Sequence, residues 1–201
     1  MIQQKFAHLI SRVLHPTILT LLIPIIVEYK QTANAVYGLG WGFFSLIFLL
    51  FAGCLFYFLT PRNASETFED ILDITSQKKR EIFYAVCMLS VILFCVVTLI
   101  LQGILFPLTI ISLGATLGIA IFSLINFFIK ISIHTAVVVA FVTTICFLYG
   151  FFSFLGIVLV LPLLIWSRLT LNKHNKREIV VGFLVGLIIP IATLLIYKSI
   201  I

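Results

Sequence analysis

Charge is what this sequence has least of. Of 201 residues only 10% are charged, with Asp and Glu contributing seven, whereas 62% are hydrophobic and the mean hydropathy is +1.26. No polar stretch between apolar runs exceeds about 20 residues, and an independent soluble domain needs about 50 or more. A soluble enzyme or a soluble domain on a membrane anchor is thereby excluded, leaving one membrane-embedded domain over residues 1–201. Cysteine is also sparse. Cys54, Cys87, Cys95 and Cys146 all fall inside apolar runs without metal-ligand spacing, and read as small packing residues. No serine or cysteine nucleophile elbow is present. The amino terminus lacks a compact apolar region followed by a small-residue cleavage site, so no cleavable signal peptide is expected.

Long apolar runs fill the remainder and predict an all-α integral membrane protein, a bundle of six or seven transmembrane helices. A mixed, mildly basic lead precedes the weakest run, residues 13–27, which is short and interrupted by Pro16 and Pro24. Residues 38–60 form a clear span, with Trp41 and Tyr57 as interface anchors. Spans over residues 82–105 and 107–128 follow, separated by a tight turn, and Gly114, Gly118 and Ser123 allow close packing in the second. Residues 136–152 and 155–171 form another pair, turning near 149–153, and residues 179–197 form the last span. Its Gly182 and Gly186 make a GxxxG face, a packing surface through which a homo-oligomer would form.

The polar residues are concentrated between these spans. Residues 62–81 hold most of the acidic side chains, with Phe68, Ile71, Leu72 and Ile74 among them, which suggests an amphipathic helix at the interface ending in Lys78-Lys79-Arg80. Asn63-Ala64-Ser65 matches a glycosylation acceptor by a pattern too short to weigh. A second island is Lys130-Ile131-Ser132-Ile133-His134. The third, Trp166 to Gly186, carries Ser167, Arg168, His174 and Glu178. Two spans separate each cluster from the next, so all three emerge on one face of the membrane.

A helix starting near Asn175 places His174 and Glu178 one turn apart, where the carboxylate fixes the imidazole tautomer. Arg168 approaches from the preceding helix end as a fixed cation. Lys78, Arg80, Arg168 and Lys130 together suit a phosphate. One histidine could attack phosphorus while the other protonates the leaving oxygen. Two histidines and one glutamate form no recognised metal motif, and no metal or other cofactor is expected. Each residue also has a plainer reading. The third cluster resembles a basic juxtamembrane loop, Lys130 is as readily a snorkelling side chain, and Lys173, Lys176 and Arg177 read as topology or headgroup contacts. His8 and His15 lack a partner at a telling spacing and read as structural.

These residues resemble the type 2 phosphatidic acid phosphatase superfamily, in particular a divergent bacterial branch. Its SRxxxxxHxxxD motif is matched by Ser167, Arg168 and His174, with Glu178 where aspartate is usual. Its PSGH motif is matched by Ser132 and His134, with isoleucines in place of proline and glycine. Of KxxxxxxRP, Arg80 stands for the arginine, Glu81 replaces the proline, and Asp73 occupies the lysine position, for which Lys78 would substitute in space. An early His-Pro, here His15-Pro16, is similar to the same branch.

The resemblance implies His174 as nucleophile, Glu178 as its orienting carboxylate and His134 as general acid, with Arg168, Arg80, Lys78, Lys130 and Ser132 around the phosphate. It also implies a membrane lipid phosphatase acting on a phosphorylated lipid such as phosphatidate, phosphatidylglycerol phosphate or a polyprenyl diphosphate, in the bacterial cytoplasmic membrane. The partners expected are that lipid and the bilayer, with no nucleic acid. The alternative is a non-catalytic protein of the same fold that binds or transports lipid phosphates. Nearly all Lys and Arg lie on the face of the three clusters, with Lys30 and Lys198 opposite, which by the positive-inside rule makes that face cytoplasmic; the family habit is the reverse.

Overall fold

The computed structural model describes residues 2–60, 76–150 and 155–200. They form α1 (Ile2–Val13), α2 (Pro16–Thr32), α3 (Ala35–Leu59), α4 (Gln77–Gln102), α5 (Pro107–Asn126), α6 (Ile133–Tyr149), α7 (Leu155–Thr170) and α8 (Lys176–Ile200). This is an all-α membrane bundle. Among the described residues, five helical stretches are long and apolar enough to cross a membrane: Gln3–Thr32, which joins α1 and α2, then α3, α4, α5 and Lys176–Ser199. Ile133–Tyr149 and Leu159–Thr170 are shorter apolar helices. Most of the expected amphipathic segment at residues 62–81, the glycosylation acceptor and the end of the turn near 149–153 lie outside the described residues.

Local chemistry sets the boundaries. His15 caps α2 and is followed by Pro16, whose fixed φ suits the first helical position. Asn34 caps α3 by accepting from the Val36 and Tyr37 amides, and Ser76 caps α4 by accepting from Lys79. Gly103, at φ 86°, makes the turn between α4 and α5 that the sequence predicts, and Pro107 opens α5.

Helices pack both antiparallel, as α2 on α3 and α4 on α5, and parallel, as α6 on α8. Val27, Trp41 and Leu108 form one buried cluster with Phe44 and Phe94 against it. Leu19, Val138 and Leu164 form a second, joining α2, α6 and α7. Trp41 is therefore a core residue rather than the interface anchor expected: it is 8% exposed and meets Phe44 and Phe94 edge-on. Outward faces remain apolar, with Phe43 71% and Ile100 75% exposed, as helices facing hydrocarbon require.

The small residues close α8 onto its neighbours. A Cβ on Gly114 of α5 would stand 2.6 Å from Thr193 Oγ1 of α8. One on Gly182 would stand 2.6 Å from the Ser132 carbonyl, and one on Gly186 would collide with the Ala136 carbonyl. The GxxxG face is thus occupied by α6 of the same chain, which removes those two glycines from any interface between copies.

Candidate functional site

The chain turns sharply after α7. Asn172 takes the left-handed conformation at φ 50°, and the Lys173 amide returns to the Arg168 carbonyl at 3.2 Å. This tight exit brings His174 back toward Arg168. Asn175 then starts α8: its Oδ1 accepts from the Glu178 amide at 3.0 Å, and its Nδ2 donates to Glu178 Oε1 at 2.8 Å. The reciprocal cap fixes the Glu178 carboxylate and leaves Oε2 for His174 Nδ1 at 2.7 Å. Because a carboxylate only accepts, Nδ1 carries the hydrogen and Nε2 keeps its lone pair.

Burial pushes the His174 imidazole down to about 4; the Glu178 hydrogen bond opposes this, and the charges of Arg168 and Lys130 add to it. At neutral pH the ring is uncharged. The pair is well sheltered, with the side chains of His174 and Glu178 8% and 14% exposed.

His134 sits in the first turn of α6, whose cap is Ser132. The Ser132 hydroxyl is paired with Thr135 Oγ1 at 2.9 Å, and its amide donates to the Glu178 carbonyl at 3.2 Å. Ser132 is fully buried, so it positions His134 rather than presenting a hydroxyl to a ligand. Arg168, His15 and His174 all lie within electrostatic reach of His134.

Arg168 is 8% exposed and donates through Nη1 to Ser11 Oγ of α1 at 2.9 Å; beside it the Ser167 hydroxyl donates to the Ala7 carbonyl at 2.7 Å. Lys130 donates to the Lys173 carbonyl at 3.2 Å.

The structure thus brings His174, Glu178, His134, Arg168 and Lys130 together. Arg80 instead donates from Nε to Asn126 Oδ1 at 3.0 Å, between the start of α4 and the end of α5, and Lys78 is exposed in the first turn of α4. Both lie at the same end of the bundle, apart from the charges that act on the two histidines.

His15 takes the structural role expected of it, capping α2 with its Nδ1 accepting from the Thr17 amide at 3.3 Å, and it also lies edge-on to His134 with ring centroids 5.2 Å apart. The His-Pro pair held the signal, since it marks a helix start at this end of the bundle. Ser11, and the capping role of Asn175 at the expected helix start, are further additions of the structure. Asn175-x-x-Glu178 before an apolar run is a readable capping box, whereas Ser11 has no sequence mark.

No family model, curated protein or solved structure matches the chain. Three helices, α2, α6 and α8, begin here at His15, Ser132 and Asn175, and their amino-terminal dipole ends add positive potential to Arg168 and Lys130. A cavity of about 530 Å³ opens beside Lys130, Lys173, His174 and Glu178. Among the described residues no group of three or more His, Cys, Asp and Glu is set to hold a metal ion. Fixed cations, converging helix starts and an uncharged histidine suit an anion beside a nucleophile.

Proposed function

We propose that the protein is a metal-independent phosphatase of phosphorylated membrane lipids that works through a phosphohistidine on His174. The observation that carries this reading is the 2.7 Å His174–Glu178 pair, buried beside Arg168 and on the same end of the bundle as His134. Spacing and geometry agree with the resemblance of Ser167, Arg168, His174, Ser132 and His134 to the type 2 phosphatidic acid phosphatases. That resemblance also supports a bacterial cytoplasmic membrane as the location.

The phosphate group would enter with its charge against Arg168, Lys130 and the starts of α6 and α8. His174 Nε2 attacks phosphorus, and the bond from phosphorus to the lipid oxygen breaks. Glu178 stabilises the positive charge that develops on the phosphorylated ring. As the lipid binds, its phosphate charge offsets Arg168 and lets the buried His134 ring take up a proton from solvent, which His134 then passes to the departing oxygen. Water then attacks phosphorus, giving its proton to His134, and releases inorganic phosphate and free His174. Reaction at the bundle end, not in its core, suits a substrate whose headgroup stays at the bilayer surface.

The test is phosphate release by the purified protein in detergent with chelator, over a panel of phosphatidate, phosphatidylglycerol phosphate and polyprenyl diphosphate. Release from at least one lipid that resists chelation and is absent in His174→Ala supports the reading. Binding of these lipids by a folded protein with no release of phosphate overturns it in favour of a non-catalytic lipid-phosphate binder.

A further inference from the structure

Helix α1 is not absorbed by the phosphatase reading, and it differs from the spans around it. Its residues divide into three adjacent sectors. One sector faces α7: Ala7 is fully buried, its carbonyl accepts from Ser167, and Ser11 accepts from Arg168 at 2.9 Å. The second is apolar and open, with Phe6, Leu9 and Val13 at 52%, 56% and 58% exposure. The third is basic. Lys5, His8 and Arg12 recur at helical spacing, all exposed, and with Leu9 they line a groove of about 400 Å³. No acidic residue lies on this helix.

An apolar stripe bordered by a basic stripe on one helix matches the boundary of an anionic bilayer, where hydrocarbon gives way to phosphate within a few ångströms. We infer that the Lys5, His8 and Arg12 face of α1 is a docking surface for the phosphate headgroup of an anionic bilayer phospholipid, whose acyl chains lie along Phe6, Leu9 and Val13.

The occupant is a lipid and not a soluble anion because the apolar stripe adjoins the cations directly, at Leu9. The surface stands without the phosphatase reading. Only its consequence for turnover rests on that reading: Ser11, on the same helix, holds the Arg168 guanidinium, so seating α1 on the bilayer steadies the phosphate-binding cation.

A reporter is built in. The chain has two tryptophans, and Trp166 of α7 lies against Phe6 of α1 with ring centroids 6.0 Å apart. The experiment compares tryptophan emission in nanodiscs of phosphatidylcholine alone and of phosphatidylcholine with phosphatidylglycerol, using Trp166→Phe to subtract Trp41. The expected result is a shift of Trp166 emission that saturates with phosphatidylglycerol and diminishes in high salt. In the Lys5→Gln/Arg12→Gln protein the phosphatidylglycerol needed for half the shift should rise about tenfold or more. These are exposed positions, so the double variant folds, which its unchanged emission in phosphatidylcholine verifies.

Identical emission in both discs, or an undiminished shift in the double variant, overturns the inference. Phosphate release measured in the same discs separates the two readings. Emission that responds without any turnover keeps the docking surface and counts against the phosphatase; turnover without an emission response does the reverse.

Discussion

The Ser132 amide donates to the Glu178 carbonyl at 3.2 Å, while the Glu178 carboxylate holds His174 at 2.7 Å. One residue therefore supports both histidines, His174 through its side chain and His134 through the cap of α6. Glu178→Gln separates the two roles, because it keeps the backbone tie and removes the charge. Turnover should fall by about 100-fold or more, with the thermal midpoint nearly unchanged. A loss of folding equal to the loss of activity would show that the carboxylate is structural.

Gly182 lies one turn after Glu178, where a Cβ would stand 2.6 Å from the Ser132 carbonyl. Backbone cannot yield as a side-chain tip does. Gly182→Ala should therefore push α8 from α6, destabilise the protein by about 1–3 kcal/mol and reduce turnover by parting His134 from His174. Gly53 on α3 has nothing within 4 Å of its Cβ position and serves as the control. Gly53→Ala should leave both stability and activity intact, as read by thermal denaturation and phosphate release.

His174 should titrate near pH 4 in the folded protein, against about 6.5 in an unfolded chain. Between those values the unfolded state binds more protons, so this residue's contribution to stability is lost as pH falls from about 6.5 toward 4. Nitrogen-15 spectra of labelled histidine check this directly. A His174 midpoint near 6.5 would mean the ring is neither buried nor held among cations as described.

At the opposite end of the bundle Gln102 donates to Glu28 Oε1 at 2.8 Å, and Glu28 is fully buried. Gln102→Leu removes that donor. The expected outcome is a stability loss of about 1–3 kcal/mol with turnover at the permissive temperature unchanged, since the site lies at the other end. A selective loss of turnover would tie this pair to the chemistry.

Helix existence was legible because apolar runs long enough to span leave little choice of structure. The His174–Glu178 pair was legible because a one-turn spacing dictates a shared face. The edge-on meeting of His15 with His134 was not, since the two lie far apart in sequence and only the packing of α2 on α6 joins them. Trp41 misled for a similar reason: its position near a span end suited an interface, but the aromatic side chains of α3 and α4 enclose it. Arg80 was placed at the correct end of the bundle. Its hydrogen bond to Asn126 rests on the α4–α5 pairing, which carries no local sequence mark.

The proposed mechanism passes through a phosphoryl group on His174. The measurement is acid-sensitive mass spectrometry of the wild-type protein quenched during turnover of the lipid identified by phosphate release, with chelator present. The expected result is a phosphate adduct on the peptide containing His174, stable to base, labile to acid and missing in Glu178→Gln or greatly reduced there. Full turnover with no adduct at any quench time, or an adduct on another residue, would contradict it.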